Sequence, residues 1–182
     1  MRKTLFLAIL LLLPLVVAAQ SVRKEVQLDK GWRFSLENGL MKLDGVKVAA
    51  EIYNDSNWEV VDVPHDWAIK GPFDENNDKQ VTKVVEDGET KPRLRTGRTG
   101  GLPYEGVGWY RTTFDASKTG RTTLIFDGAM SEAHVYVNGE EVIFWPYGYS
   151  SFHVDVTDRL TADGKNNVLA VRLENRPSSS RW

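Results

Sequence analysis

Cysteine is absent from this chain of 182 residues. Without a thiol there can be no disulfide framework, no thiolate zinc site, no cysteine nucleophile and no lipid anchor on cysteine. An excess of charge of one sign is also lacking, because 23 basic and 25 acidic side chains leave a formal charge of −2. Such a chain has no basic field that would concentrate nucleic acid, so nucleic acid is not an expected partner.

Long hydrophobic runs are confined to the amino terminus. Two basic residues precede an unbroken apolar run, Leu5–Leu13, and small residues follow it. This pattern is typical of an export signal, and we expect residues 1–19 to be removed. A membrane anchor is the alternative, but the apolar stretch is shorter than the roughly 20 residues that span a bilayer, and Pro14 interrupts it. We therefore expect residues 20–182 to be exported, to the periplasm or outside the cell, and free of the membrane.

Third, the sequence lacks helical periodicity, and it contains no internal repeat. Short alternating stretches of β-branched and aromatic residues recur instead, bounded by Gly, Asn, Asp or Pro. Helices should be scarce, and the stretches predict an all-β antiparallel sandwich. The predicted strands are residues 31–36, 108–115, 122–126, 133–137, 141–145, 152–156 and 168–173.

Three of these strands carry further expectations. The first, residues 31–36, is expected to close one edge of a sheet. In residues 108–115, alternation places Trp109 and Arg111 on one face and Tyr110 on the other. The dipeptide Asn138-Gly139 tolerates positive φ at both positions, and it therefore predicts a tight hairpin between the strands on either side of it.

Between Pro64 and Gly108 the alternation stops, apart from residues 80–85, and turn-forming residues take over. Irregular stretches this long are uncommon in a compact domain unless they serve a function. Glycoside hydrolysis needs two carboxyl groups, and this segment contains four acidic candidates: Asp66, Asp74, Glu75 and Glu105. Solvated loop carboxylates are the commoner case, so no catalytic acid is assigned.

Neither a serine nucleophile nor a metal site is predicted. No Gly-x-Ser-x-Gly motif occurs, and the adjacent side chains of His65 and Asp66 should diverge in an extended segment. We therefore interpret His65 as a structural, hydrogen-bonding loop residue. His134 and His153 lie in predicted strands without metal-ligand spacing, so neither a metal nor another cofactor is expected.

Aromatic residues in or beside loops give a more useful signal. Sugar rings pack their C–H groups on Trp and Tyr faces, while their hydroxyls need polar partners. Trp109 and Trp145 lie in predicted strands, where core positions are favoured. The full set of candidates is Trp67, Phe73, Tyr104, Trp109, Trp145, Tyr147 and Tyr149.

Four stretches, taken in order, resemble one family: Val63–Trp67, Gly108–Arg111, Phe126–Gly128 with Val135–Gly139, and Val168–Val171. Together they are similar to the amino-terminal domain of glycoside hydrolase family 2, which includes the β-galactosidases. The resemblance implies a jelly-roll, galactose-binding-like sandwich, often called the sugar-binding domain. In the family an immunoglobulin-like domain and a (β/α)₈ barrel follow, and the barrel carries both catalytic glutamates. Nothing here resembles the barrel motifs, so the chain alone is expected to be inactive and to be a truncated product or a partial gene.

The resemblance also implies which residues approach the substrate. The family's loops reach toward the barrel mouth, and the loop with His65, Asp66 and Trp67 is expected there. Asn77 resembles an asparagine that approaches the terminal sugar, although residues 78–99 depart from the family pattern by being longer and more charged. Arg181 and Trp182 match a closing motif near the active site. These six residues are the predicted substrate-binding set: His65, Asp66, Trp67, Asn77, Arg181 and Trp182.

Three functions stand as hypotheses. The first is the non-catalytic amino-terminal domain of an exported, β-galactosidase-like family 2 glycoside hydrolase, with a terminal galactoside or related glycan as ligand. Its partners would be the missing immunoglobulin-like and barrel domains. The alternative is a stand-alone extracellular carbohydrate-binding module, which needs no barrel. The third is a purely structural or adhesion sandwich.

Overall fold

The structure is a computed structural model that describes residues 23–37, 44–70, 73–74, 79–82, 91, 93–96, 106–117 and 119–175. The predicted signal segment, Asn77, Arg181 and Trp182 lie outside these ranges, so their placement stays a prediction. In the part described, no helix is long and apolar enough to cross a membrane.

Strands dominate the described ranges. The strands are β1 Trp32–Glu37, β2 Glu59–Val61, β3 Lys79–Thr82, β4 Arg93–Thr96, β5 Val107–Phe114, β6 Thr123–Phe126, β7 Ala133–Val137, β8 Glu140–Trp145, β9 Phe152–Asp155 and β10 Asn167–Glu174. The helical elements are α1 Gly45–Ala49 and two 3₁₀ turns, Ala68–Lys70 and Thr157–Arg159. The expectation that helices are scarce is confirmed.

All strand pairs are antiparallel. Six strands form one sheet in the order β2-β1-β5-β10-β7-β8, while β6 pairs with β9 and β3 with β4. The inner core joins the six-stranded sheet to the β6–β9 pair, because Phe34 and Tyr110 belong to the same buried cluster as Leu124 and Phe152. The predicted all-β, antiparallel jelly-roll sandwich is confirmed.

The six-stranded sheet is also covered on its outer face. Asp44 caps the short helix α1 by accepting a hydrogen bond from the Val46 N–H. Val48 and Ala49 of this helix bury the outer side of the sheet together with Trp109, which is completely buried. Strand β5 therefore has a core on each face, as its predicted alternation of Trp109 and Tyr110 required.

Arg111 holds this outer cover in place. Its guanidinium donates to the carbonyl oxygens of Val48 (2.6 Å) and Ala50 (2.8 Å) and pairs with the carboxylate of Asp55. The side chain is buried, with 5% of its surface exposed. Because it satisfies two helix-end carbonyls and one carboxylate at once, a single cation fixes the segment that follows α1.

The Asn138-Gly139 hairpin is confirmed. Both residues have positive φ, 50° and 89°, as a tight turn between β7 and β8 requires. The side chain of Asn138 also accepts a hydrogen bond from Val168 N–H (2.8 Å) and donates one to the Arg159 carbonyl (2.7 Å). The turn is thereby tied to the start of β10.

The expectation that residues 31–36 close a sheet edge is wrong. Strand β1 has a neighbour on each side, because β2 pairs with it through Trp32↔Val61 while β5 pairs on the other side. Strand β2 has three residues, too few for alternation to be recognised. In its described residues, the segment from Pro64 to Gly108 contains the short strands β3 and β4, of which β3 overlaps the predicted residues 80–85.

Replacing Arg111 tests its role. Arg111→Ala should lower the free energy of unfolding by about 3 kcal/mol, because it leaves a partly buried carboxylate and two carbonyl oxygens without their donor. Urea titration followed by tryptophan fluorescence measures this. Arg121→Ala is the matched control: its ion pair with Asp155 is exposed, so the loss should stay below about 1 kcal/mol. Equal losses in the two variants would contradict the role of Arg111.

Candidate functional site

The loop after β2 holds three of the predicted substrate-binding residues, His65, Asp66 and Trp67. It begins where Val63 N–H donates to the Asp29 carbonyl (2.9 Å) and passes through the cis Val63–Pro64 bond. The loop ends in the 3₁₀ turn Ala68–Lys70. Its three candidate side chains take different positions, and each position limits what the residue can do.

His65 is bound to the sheet. Its Nδ1 lies 2.9 Å from the Tyr110 hydroxyl oxygen, and that oxygen is 3.4 Å from the His65 carbonyl oxygen. Burial raises the pKa of the Tyr110 phenol, so the hydroxyl keeps its proton. Burial, followed by the nearby Lys70 charge, lowers the pKa of His65 below 6.5. The neutral imidazole and the protonated phenol therefore share a hydrogen bond at Nδ1, and the phenol O–H also faces the His65 carbonyl oxygen.

The hydrogen bond to Tyr110 confirms the interpretation of His65 as a structural loop residue. Its Nε2 is buried and has no hydrogen-bond partner in the described structure. A ring with one nitrogen bonded to the sheet and the other buried cannot act as an exposed general base. A substrate contact by His65 stays a prediction.

Trp67 is a core residue. It is 5% exposed and stacks on Phe34, with ring centroids 5.7 Å apart and an interplanar angle of 21°. Its indole lies against Gly108, where an added Cβ would come within 2.8 Å of Trp67 Cζ3. The ring faces are used inside the domain, so the stacking of a sugar on Trp67 has no support in this arrangement. The direct contact predicted for Trp67 remains untested.

Asp66 is the exposed member of the three. Its Oδ1 accepts a hydrogen bond from Ala68 N–H (2.8 Å), which caps the 3₁₀ turn. With His65 bonded to Tyr110 on one side and Trp67 buried on the other, the carboxylate between them is presented to solvent from a fixed backbone. A carboxylate held this way can accept hydrogen bonds from the hydroxyls of a ligand.

The register places the Trp67 ring near one end of the sandwich. Gly108, under this ring, pairs with Leu36 and with Leu173 near the end of β10, whereas the loop starts at the other end of β1, where Val61 pairs with Trp32. At the end of β10, Ser131 and Glu174 exchange backbone hydrogen bonds of 3.2 and 2.8 Å. The 127–132 loop therefore belongs to the same end, and Glu132 N–H reaches the Pro146 carbonyl (3.4 Å) in the loop after β8.

Of the remaining acidic candidates, Asp74 lies within the described residues. Asp74 is exposed, and Glu75 and Glu105 lie outside the described residues. Among the described residues, no three His, Asp or Glu side chains come together in a way that could hold a metal ion. The assignment of no catalytic acid and no cofactor stays a prediction.

The aromatic candidates separate by burial. Trp109 is completely buried and Trp145 packs against the inner core, which confirms the core positions favoured for both. Phe73, Tyr147 and Tyr149 are exposed, whereas Tyr104 lies outside the described residues. Sequence reasoning did not find Tyr110 as the partner of His65, although alternation along β5 placed its ring on the face opposite Trp109.

Comparison with known proteins decides the family. The sequence profile described as "Glycosyl hydrolases family 2, sugar binding domain" matches residues 26–180. The chain belongs to this family. Its fold agrees with that of a β-glycosidase from Bacteroides vulgatus, with a TM-score of 0.60 and 31% identity over 82% of this chain and 17% of that one.

Two curated relatives add names from the family. The β-galactosidase BoGH2A of Bacteroides ovatus is 36% identical over 89% of this chain and 17% of its own length. A β-glucuronidase of Formosa agariphila is 28% identical over 87% of this chain and 14% of its own. The family 2 chain thus spans less than a fifth of the length of either relative.

Filling the space at Gly108 should displace Trp67. In Gly108→Ala the new methyl group would lie 2.8 Å from Trp67 and 3.0 Å from Phe34, both buried rings, so we expect a loss of about 1–3 kcal/mol in unfolding free energy. Chemical denaturation with fluorescence detection measures the loss. Gly128→Ala is the control, because its Cβ meets only the Gly148 carbonyl oxygen at 3.4 Å. A Gly108→Ala variant as stable as Gly128→Ala would contradict this packing.

Acid should weaken the domain through His65. A histidine whose folded pKa lies below 6.5 binds fewer protons than in the unfolded chain, so stability falls as the pH drops through about 6.5 and levels off below the folded pKa. His65→Asn keeps an acceptor for Tyr110 but cannot titrate, so its unfolding free energy should fall less between pH 7 and pH 5. Measurements at pH 8, where the His65 imidazole is neutral in the folded and in the unfolded chain, give the baseline difference in unfolding free energy between the two proteins. Parallel pH profiles for the two proteins would refute the effect.

Proposed function

We propose that this chain is the amino-terminal, non-catalytic domain of an exported family 2 glycoside hydrolase of the β-galactosidase type. The observation that carries the proposal is the extent of the match: a relative named β-galactosidase shares 36% identity over 89% of this chain, which is only 17% of that relative. The export signal at residues 1–19 is part of the proposal. Hydrolysis would be performed by carboxylates outside this chain, with retention of configuration through a covalent glycosyl-enzyme.

Within this function, the loop after β2 would line the pocket of the terminal sugar. Asp66 is the residue proposed to contact sugar hydroxyls, because it is exposed and its backbone is fixed on both sides. His65 and Trp67 would act as positioning residues, the former through the Tyr110 hydroxyl at 2.9 Å and the latter through Phe34 and Gly108. Asn77, Arg181 and Trp182 are proposed as further contacts from the family resemblance alone.

Hydrolysis of nitrophenyl β-galactoside tests the proposal. The chain of 182 residues should give no turnover, whereas the protein translated from the gene with its sequence beyond residue 182 should release nitrophenol. In that longer protein Asp66→Asn should raise KM about tenfold, the cost of one charged hydrogen bond to the sugar. Asp158→Asn, an exposed carboxylate in the other 3₁₀ turn, is the matched control and should leave KM unchanged.

Three results would refute parts of this proposal. Turnover by the chain alone would show that catalytic carboxylates lie within it. A gene that stops at residue 182 would favour the stand-alone module. An unchanged KM in Asp66→Asn would remove this loop from the sugar pocket while leaving the family intact.

A further inference from the structure

The loop between β8 and β9, residues 146–151, displays two tyrosines that the proposed function does not use. Tyr147 is 50% exposed and Tyr149 is 73% exposed. Their hydroxyls keep these rings compatible with water while the ring faces stay available for contact. We call these two side chains the tyrosine platform.

Tyr147 rests on a series of aromatic rings that reaches the core. Tyr147 meets Trp145 edge-on, with centroids 5.6 Å apart, and Trp145 stacks on Phe152 at 5.4 Å. Phe152 in turn stacks on Phe126 at 4.6 Å with an interplanar angle of 6°. Because Phe152 is buried in the inner core, the outermost ring is fixed to the rigid part of the domain.

Hydrogen bonds and a glycine contact fix the rest of the loop. Trp145 Nε1 donates to Ser150 Oγ (3.2 Å), and Glu132 N–H donates to the Pro146 carbonyl (3.4 Å). Gly148 lies against Met130 so closely that an added Cβ would be 2.7 Å from Met130 Cγ. A loop held at three points loses little conformational entropy when a ligand binds to it.

The chemistry of the platform fits a neutral sugar. The exposed rings of Tyr147 and Tyr149 offer faces against which the C–H groups of a sugar can pack. The exposed hydroxyls of Ser150 and Ser151 follow in the same loop. The charged side chains in this loop and the adjoining 127–132 loop are carboxylates, Asp127 and Glu132. Carboxylates accept hydrogen bonds from sugar hydroxyls and repel uronates and phosphates.

We propose that Tyr147 and Tyr149 form a second carbohydrate-binding surface, which takes a neutral hexose unit of an oligosaccharide at a distance from its terminal sugar. This inference rests on the proposed function, since it assumes a glycan ligand. The loop of the platform is connected to the end of β10 through Ser131 and Glu174, and the Trp67 ring lies over Gly108, which pairs with Leu173 near the same strand end.

Binding of neutral trisaccharides to the full chain tests the platform. Isothermal titration and saturation-transfer NMR would use β-1,4-galactotriose, cellotriose and mannotriose, with glucuronate as the charged probe. At least one trisaccharide should bind, Tyr149→Ala and Tyr147→Ala should each weaken it about tenfold, and glucuronate should not bind. Tyr149→Phe should retain most of the affinity because the ring face remains.

Ile52→Ala is the matched control, because Ile52 is 94% exposed and lies beyond helix α1 on the outer face. It should bind like the wild type, and thermal unfolding should show that every variant folds. No binding by any trisaccharide, or equal binding by Tyr149→Ala and wild type, would overturn the platform. Tighter binding of glucuronate than of the trisaccharides would overturn its preference for neutral sugars.

The trisaccharide-binding test of the tyrosine platform can fail or succeed independently of the hydrolysis test of the proposed function. Nitrophenyl galactoside carries a single sugar, so its hydrolysis by the longer protein reports on the terminal-sugar pocket and not on the platform. If the longer protein hydrolyses nitrophenyl galactoside but the tyrosine variants bind trisaccharides like the wild type, the platform is refuted and the proposed function stands. Loss of binding in those variants without any hydrolysis would support the platform and remove the glycosidase.

Discussion

Burial of β5 on both faces is the constraint on which the rest of this domain depends. Its inner face supplies Tyr110 to the core between the sheets, and its outer face supplies Trp109 and the Arg111 guanidinium. Since the same strand fixes the outer cover through Arg111 and the candidate loop through Gly108 and Tyr110, neither can move without disturbing the other. A fully covered strand is the natural place from which to position an exposed loop, because a close-packed interior has low compressibility.

The Asp66 loop shows how a core can determine what a surface presents. Two of its three candidate side chains are directed inward, one to a phenol hydroxyl and one to a stacked phenyl ring, and the carboxylate between them is directed outward. The buried residues set the position of the exposed one. This division of roles explains why an aromatic residue in a sugar-binding domain can matter for the ligand without touching it.

The relation to family 2 enzymes gives these loops their context. Relatives named β-galactosidase and β-glucuronidase share this sandwich, and the chain corresponds to less than a fifth of each. In the function proposed above, this domain would contribute fixed loops, with a low entropic cost of binding, to a site whose chemistry is supplied elsewhere. Asp66 would contribute a charged acceptor, and the two tyrosines would contribute ring faces.

Sequence alone determined the fold class, because the alternation of apolar and polar residues indicates which face of a strand is buried. The dipeptide Asn138-Gly139 likewise predicted the tight turn that it forms. The sequence also identified the loop of His65, Asp66 and Trp67. Only the tertiary structure decided that β1 is an internal strand, that Arg111 clamps the outer cover, and that Asp66 is the exposed residue of the three. Those outcomes depend on contacts between residues that are distant in the sequence, such as Trp32 with Val61, Tyr110 with His65 and Arg111 with Val48, which local periodicity does not encode.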